Sequence, residues 1–149
     1  MTTNCFFPIS EDIDLRYAEE RMGLRFPSEL RSFYLRYGYG YLGYQEGRIN
    51  KILHPLSVAS FRRHGVTYRH VRDMQNYDAC TDDRLVFFQV TDDVYFSIEL
   101  TTKYRQKIYF MDQVIADSLE EFIKTYPEDE YFIRSFTGNP KQYMDQPYF

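Results

Sequence analysis

The residues that catch the eye first are Gly38-Tyr39-Gly40-Tyr41-Leu42-Gly43, which match the letter pattern of a dinucleotide-binding loop. That chemistry needs the glycines to follow a strand and open a helix, so that the helix N-terminus meets a pyrophosphate. Here they follow a helical pattern and lead into bulky aromatics, which reads as a helix C-cap and a turn. The histidines are His54, His64 and His70 and the cysteines Cys5 and Cys80, with no His-Glu-x-x-His and no Cys-x-x-Cys. Metal-ligand spacing is absent, so neither a metal nor a cofactor is expected. Thiol catalysis would have to pair Cys80 with a histidine such as His64, yet Cys80 sits in the polar stretch Asp78-Ala79-Cys80-Thr81-Asp82 and reads as a loop residue. No Gly-x-Ser-x-Gly elbow and no phosphate-binding loop occurs.

Acidic pairs recur at Asp82-Asp83 and Asp92-Asp93, with a run at Glu128-Asp129-Glu130. Paired carboxylates do acid–base work only when a cleft fixes their separation. Beside strands they read first as turn formers, and second as an acidic binding surface. Charge is also segregated. From Arg48 to Arg72 there are six basic residues, all three histidines and no acid. This reads as a solvated face, or as a patch for a phosphate or an acidic partner.

The elements that must position these residues follow from periodicity. Ser10 is a good N-cap for a first helix that carries Leu15, Ala18 and Met22 on one stripe and stops at Gly23. Pro27 opens a second helix, with Leu30, Phe33, Tyr34 and Tyr37 on its buried face and Gly38 at its end. In the middle, Ile49 to Leu53 suits a strand and Ser57 to His64 a short helix after Pro55. Leu85 to Val90, Val94 to Leu100 and Gln106 to Met111 read as three strands of a meander, the second with one buried face. Ser118-Leu119-Glu120-Glu121 is a capping box for a last helix that Pro127 ends. Helices, then strands, then a helix is an α+β order: a single antiparallel sheet packed by N-terminal and C-terminal helices.

The chain has 149 residues and a formal charge of −4, and Tyr and Phe make up 19% of it with no Trp. This length suits one domain, here 1–149. The aromatic content excludes a disordered chain, and the acidic balance argues against a general nucleic-acid binder. No secretory signal and no apolar run of membrane-spanning length is seen, so a cytoplasmic protein with reduced thiols is expected.

The sequence of Ile13, Ala18-Glu19, Met22-Gly23-Leu24-Arg25-Phe26-Pro27, Leu30, Phe33-Tyr34-Leu35 and Gly38-x-Gly40 resembles the entry motif of the SUKH superfamily. That group comprises bacterial toxin-immunity proteins and fungal cell-wall-assembly regulators. The strands from Leu85 to Met111 and the segment from Val114 to Phe122 are similar to the family's sheet and final helix. The resemblance spans about residues 10 to 126. The tail, 127–149, has no counterpart, but its Tyr131, Phe132, Ile133 and Phe136 suit partial packing. Where the family often has an Asn-Gly turn after helix two, this chain has Tyr37-Gly38-Tyr39-Gly40-Tyr41.

The resemblance implies an α+β fold without catalytic residues. It also implies a non-enzymatic immunity protein that binds and neutralises a cognate polymorphic toxin, often a nuclease, as a monomer or homodimer. The alternatives are a regulatory interaction scaffold and, behind it, a small enzyme using Cys80 or His64. On the immunity reading, the expected binding surface comprises Tyr39, Tyr41 and Tyr44 from the glycine turn, with Asp82, Asp83, Asp92 and Asp93. Direct contact with nucleic acid or membrane is not expected.

Overall fold

A computed structural model describes residues 4–43, 46–63, 83–100 and 105–126. Ser10 caps the first helical segment as its residue type suggests: its hydroxyl accepts from the Ile13 N–H at 3.2 Å. The first turns, Glu11–Arg16, are wound wide as a π-helix, with Leu15 N–H reaching back to the Ser10 carbonyl. They run into α1, Tyr17–Met22, which ends on Gly23 at φ 71°. The chain then turns through Pro27 into α2, Ser28–Arg36. One carboxylate fixes that corner. Glu19 accepts from the Phe26 N–H at 2.9 Å and from Arg31 Nε at 3.2 Å, with both side chains largely buried.

Seven strands form one antiparallel sheet in chain order. They are β1 (Cys5–Phe7), β2 (Tyr39–Tyr41), β3 (Lys51–Ile52), β4 (Arg84–Gln89), β5 (Tyr95–Glu99), β6 (Ile108–Phe110) and β7 (Gln113–Ala116). Helix α3, Pro55–Arg62, links β3 towards β4, and α4, Leu119–Thr125, follows β7. The capping box at α4 is half-formed. Ser118 Oγ accepts from the Glu121 N–H at 3.1 Å, but the Glu121 carboxylate reaches the Asp117 N–H instead of that of Ser118.

Register divides the sheet into two faces. Phe6, Gly40, Ile52, Phe88 and Phe96 are aligned across five strands. On their side Phe33 of α2 meets Phe6, and Phe122 and Tyr126 meet Phe88 and Phe96 at ring separations of 5.0–5.8 Å, mostly edge to face. Such pairs add roughly 0.5–1.5 kcal/mol each beyond the area they bury. The opposite face carries Cys5, Tyr41, Lys51, Gln89 and Tyr95 in the next row. There α3 packs through Phe61 on Tyr95, and α1 packs on α3.

The α+β fold with one antiparallel sheet is thus as the sequence predicts, and four expectations are corrected. The meander has seven strands, because β1, β2, β3 and β7 are two to four residues long and pair on the flanks of the three longer-patterned ones. Tyr95 and Ser97, expected on a solvated face, are buried, since α3 covers that side. Tyr37, expected in the core, is 45% exposed and only rests on Phe33 and Phe6. The predicted glycine turn is a strand. Gly38 does follow the helix, donating to the Tyr34 carbonyl, but Tyr39–Tyr41 is β2.

The glycines have a different task from turning. A Cβ on Gly38 would stand 1.7 Å from the Phe7 carbonyl oxygen, and one on Gly40 would stand 2.2 Å from that of Cys5. Both have positive φ, at 91° and 144°. Only residues without a side chain let β1 lie this close to β2. Gly23 also has positive φ, but a Cβ there would meet nothing within 4 Å. Gly38→Ala and Gly40→Ala should each cost about 2 kcal/mol or more and free the β1 amides to exchange. Gly23→Ala should cost about 1 kcal/mol. Urea denaturation checks this, and equal losses at the three positions would contradict it.

Candidate functional site

Among the described residues, no helix lies over the β1–β2–β3 end of the second face. Cys5 and Phe7 of β1, Tyr39 and Tyr41 of β2, and Lys51 of β3 project together there. Phe7 is 42% and Tyr41 40% exposed, and Cys5 is exposed, while Tyr39 and Lys51 are half-buried. Alternation explains the set: Gly40 and the fully buried Ile52 point to the core, so their strand neighbours must point away. The Phe7 and Tyr39 rings lie 5.5 Å apart. The Lys51 ammonium sits 5.7 Å from the centroids of both Tyr39 and Tyr41. This is cation–π range, worth roughly 0.5–1 kcal/mol per contact at an exposed site.

His54 borders the patch, its ring edge-on to Tyr39 at 4.8 Å. Its Nδ1 accepts from the Leu56 N–H at 3.0 Å, capping α3, and its Nε2 faces Asp14 Oδ1 at 3.3 Å. Asp14 in turn accepts from the Ser10 N–H at 2.7 Å. The acceptor role of Nδ1 and the carboxylate at Nε2 fit one neutral tautomer, with the proton on Nε2. Burial lowers the His54 pKa below its ordinary 6.5, and Lys51 adds to this, while Asp14 opposes it. Both ring nitrogens are committed, so the pair ties the π-helical segment to α3 and leaves no nitrogen for proton transfer to a substrate.

The other predicted site residues do not gather in one place. Asp92 and Asp93 lie in the β4–β5 hairpin, at the same end of the sheet as Tyr41, whose row runs through Lys51 and Gln89 to Tyr95. Asp92 is half-buried and Asp93 buried at 7% exposure, so Asp93 offers a partner little surface. Asp83 lies at the other end of β4, about 20 Å away at ~3.3 Å per strand residue. There it joins Asp112 and Glu99 around Arg84, whose guanidinium stacks on the Tyr109 ring at 4.0 Å. The Tyr109 hydroxyl donates to Glu99 at 3.3 Å, and burial, then that carboxylate, raises its pKa. Tyr44, Asp82, Cys80, His64 and His70 fall outside the described residues, as does the tail.

Sequence reasoning missed Phe7 and Lys51. Spacing held a signal, since Tyr39 and Tyr41 stand two apart, as a strand face requires. A concavity lies on the first face, an open groove of about 700 Å³ between α2 and α4 floored by Phe6, Phe33 and Ile123. Among the described residues, no group of three His, Cys, Asp or Glu side chains is placed to hold a metal ion. No helix among them is long and apolar enough to cross a membrane.

Comparison with known proteins adds three findings. Residues 12–123 match the family SUKH_6, described as SMI1-KNR4 cell-wall. A protein of Bacillus subtilis (strain 168) named Immunity protein YxxD is 36% identical over 131 residues, covering 87% of this chain and 88% of that one. No solved structure matches.

The geometry at His54 has a pH consequence. Because folding lowers its pKa, the fold favours the neutral ring. That contribution is complete above about pH 6.5 and is lost as pH falls through the lower folded value. His54→Asn keeps a capping side chain but removes the titration. Its unfolding free energy should therefore fall less than that of the unaltered chain between pH 7.5 and 5.5, by chemical denaturation. Identical slopes would contradict the assignment.

Proposed function

The chain belongs to the SUKH superfamily, in the family SUKH_6, and on that premise we propose that it is an immunity protein, a non-enzymatic antidote that binds a cognate protein toxin and blocks it in the cytoplasm. The observation that carries this reading is the uncovered face of Phe7, Tyr39 and Tyr41 around Lys51. The name of the Bacillus subtilis relative supports the immunity role.

An antidote must outcompete the toxin's own target, and tight binding is concentrated in a few aromatic anchors at the centre of an interface. Rings fixed on a sheet suit that task, because strand pairing has already removed much of the freedom that binding would otherwise cost. His54 on one side and Phe7 on the other restrain Tyr39. The chain's net charge of −4, with Asp92 beside the face and Asp83 beyond it, would steer a basic partner inwards. A nuclease, whose substrate cleft is basic, is the toxin class that this balance suits.

If the neighbouring reading frame encodes a toxin domain, its co-expression with this chain should restore growth, and a soluble complex should form. Phe7→Ala and Tyr41→Ala, at exposed positions, should each weaken that complex by roughly 1 kcal/mol or more with little change in thermal unfolding. Titration calorimetry measures this. Unchanged affinity in the double variant would remove the face from the interface.

A further inference from the structure

We infer that Lys51 is the recognition centre of this face and that its ammonium, flanked by the rings of Tyr39 and Tyr41, takes a side-chain carboxylate of the toxin from its open, solvent side. The inference rests on the immunity reading above and goes further, by naming the group that the face recognises.

Among the described residues Lys51 is a cation without a counter-ion. Among the described residues, no carboxylate lies within ion-pair distance of its ammonium; its contacts are the two tyrosine rings at 5.7 Å. Three acids of the neighbouring helical segments are committed elsewhere. Asp14 holds the Ser10 N–H and His54, and Glu11 and Glu19 hold Arg31. The position of Lys51 is also enforced. It pairs with Tyr41 on one side and Gln89 on the other, while its neighbour Ile52 is wholly buried beneath the sheet. Lys51 therefore cannot turn away from the face without breaking β3.

Such a lysine is prepared for one kind of ligand. Its ammonium lies near two aromatic rings and the residue is half-buried, so an arriving anion displaces less solvent and orders less side chain. The rings wall the ammonium with low-polarity surface, which strengthens a charge-assisted hydrogen bond to it. The ligand is a single carboxylate rather than a polyanion. Nucleic acid needs a stripe of basic residues. Among the described residues of this face Lys51 is joined by no other Lys or Arg, with His54 held towards its neutral form, in a chain of net charge −4. An acidic residue set in an apolar toxin surface fits both the charge and the rings around it.

The test measures binding of the co-encoded toxin domain to the full chain in rising sodium chloride. Lys51→Met should weaken the complex about tenfold or more and flatten its salt dependence. Lys51→Arg should retain most of the affinity, and Lys51→Glu should lose more than Lys51→Met. A toxin Asp→Lys or Glu→Lys change at the contact should recover binding to Lys51→Glu. Thermal unfolding of each variant separates lost contact from lost fold. Unaltered affinity and salt dependence in Lys51→Met, with Tyr41→Ala still weakened, would overturn this inference and leave the immunity reading intact. Unaltered affinity in both variants would overturn this inference and remove the face from the interface, whereas the immunity reading falls only if no toxin complex forms and co-expression does not restore growth. Lys51-dependent capture of a labelled DNA oligonucleotide would overturn the carboxylate assignment in favour of a polyanion.

Discussion

Two backbone carbonyls occupy the space where side chains on residues 38 and 40 would stand. The close approach of β1 to β2 depends on glycine at both places. If β1 were displaced, Phe6 would leave Phe33, and Phe7 would leave Tyr39. The sheet would then lose its edge on one face and its aromatic patch on the other. The same contact thus closes the core under α2 and builds the surface that the proposed function uses.

The division of labour between the faces follows from what covers them. Helices α2 and α4 pack on one face beside an open groove, and under α4 an aromatic cluster of Phe88, Phe96, Phe122 and Tyr126 is essentially buried. Tyr126 is so enclosed that burial drives its pKa upwards, and its hydroxyl donates to Asn50. Over the other face α3 packs at the β4–β5 end, and no described helix packs on β1 to β3. The aromatic-rich composition therefore has two uses, a core of edge-to-face rings and a small patch outside it. The patch stays compatible with a monomer in water because a lysine lies at its centre, and the rings are only partly exposed.

Much of this was legible in the residues. The Ser10 cap, the Gly23 stop, the α2 stripe of Leu30, Phe33 and Tyr34, and the Ser118 cap all act locally, within one or two turns, where sequence spacing and spatial spacing coincide. The short strands were not legible. Three residues such as Cys5–Phe7 cannot display a period of two, and their pairing is decided by a partner more than thirty positions away. Gly38 and Gly40 carried a real signal, but positive φ serves a turn and a close strand approach alike. Asp83 and Asp92 look equivalent as hairpin acids, yet a whole strand separates them. Lys51 gave no sign of its place in the patch, because Tyr39 and Tyr41 reach it only across the β2–β3 register.

Hydrogen exchange of the backbone amides, read with and without the co-encoded toxin domain bound, tests the central claim most directly. The account predicts new protection at residues 5–7, 39–41 and 51–54 and in the hairpin around Asp92. Protection confined to the groove between α2 and α4, with the β1–β2–β3 face unchanged, would contradict it.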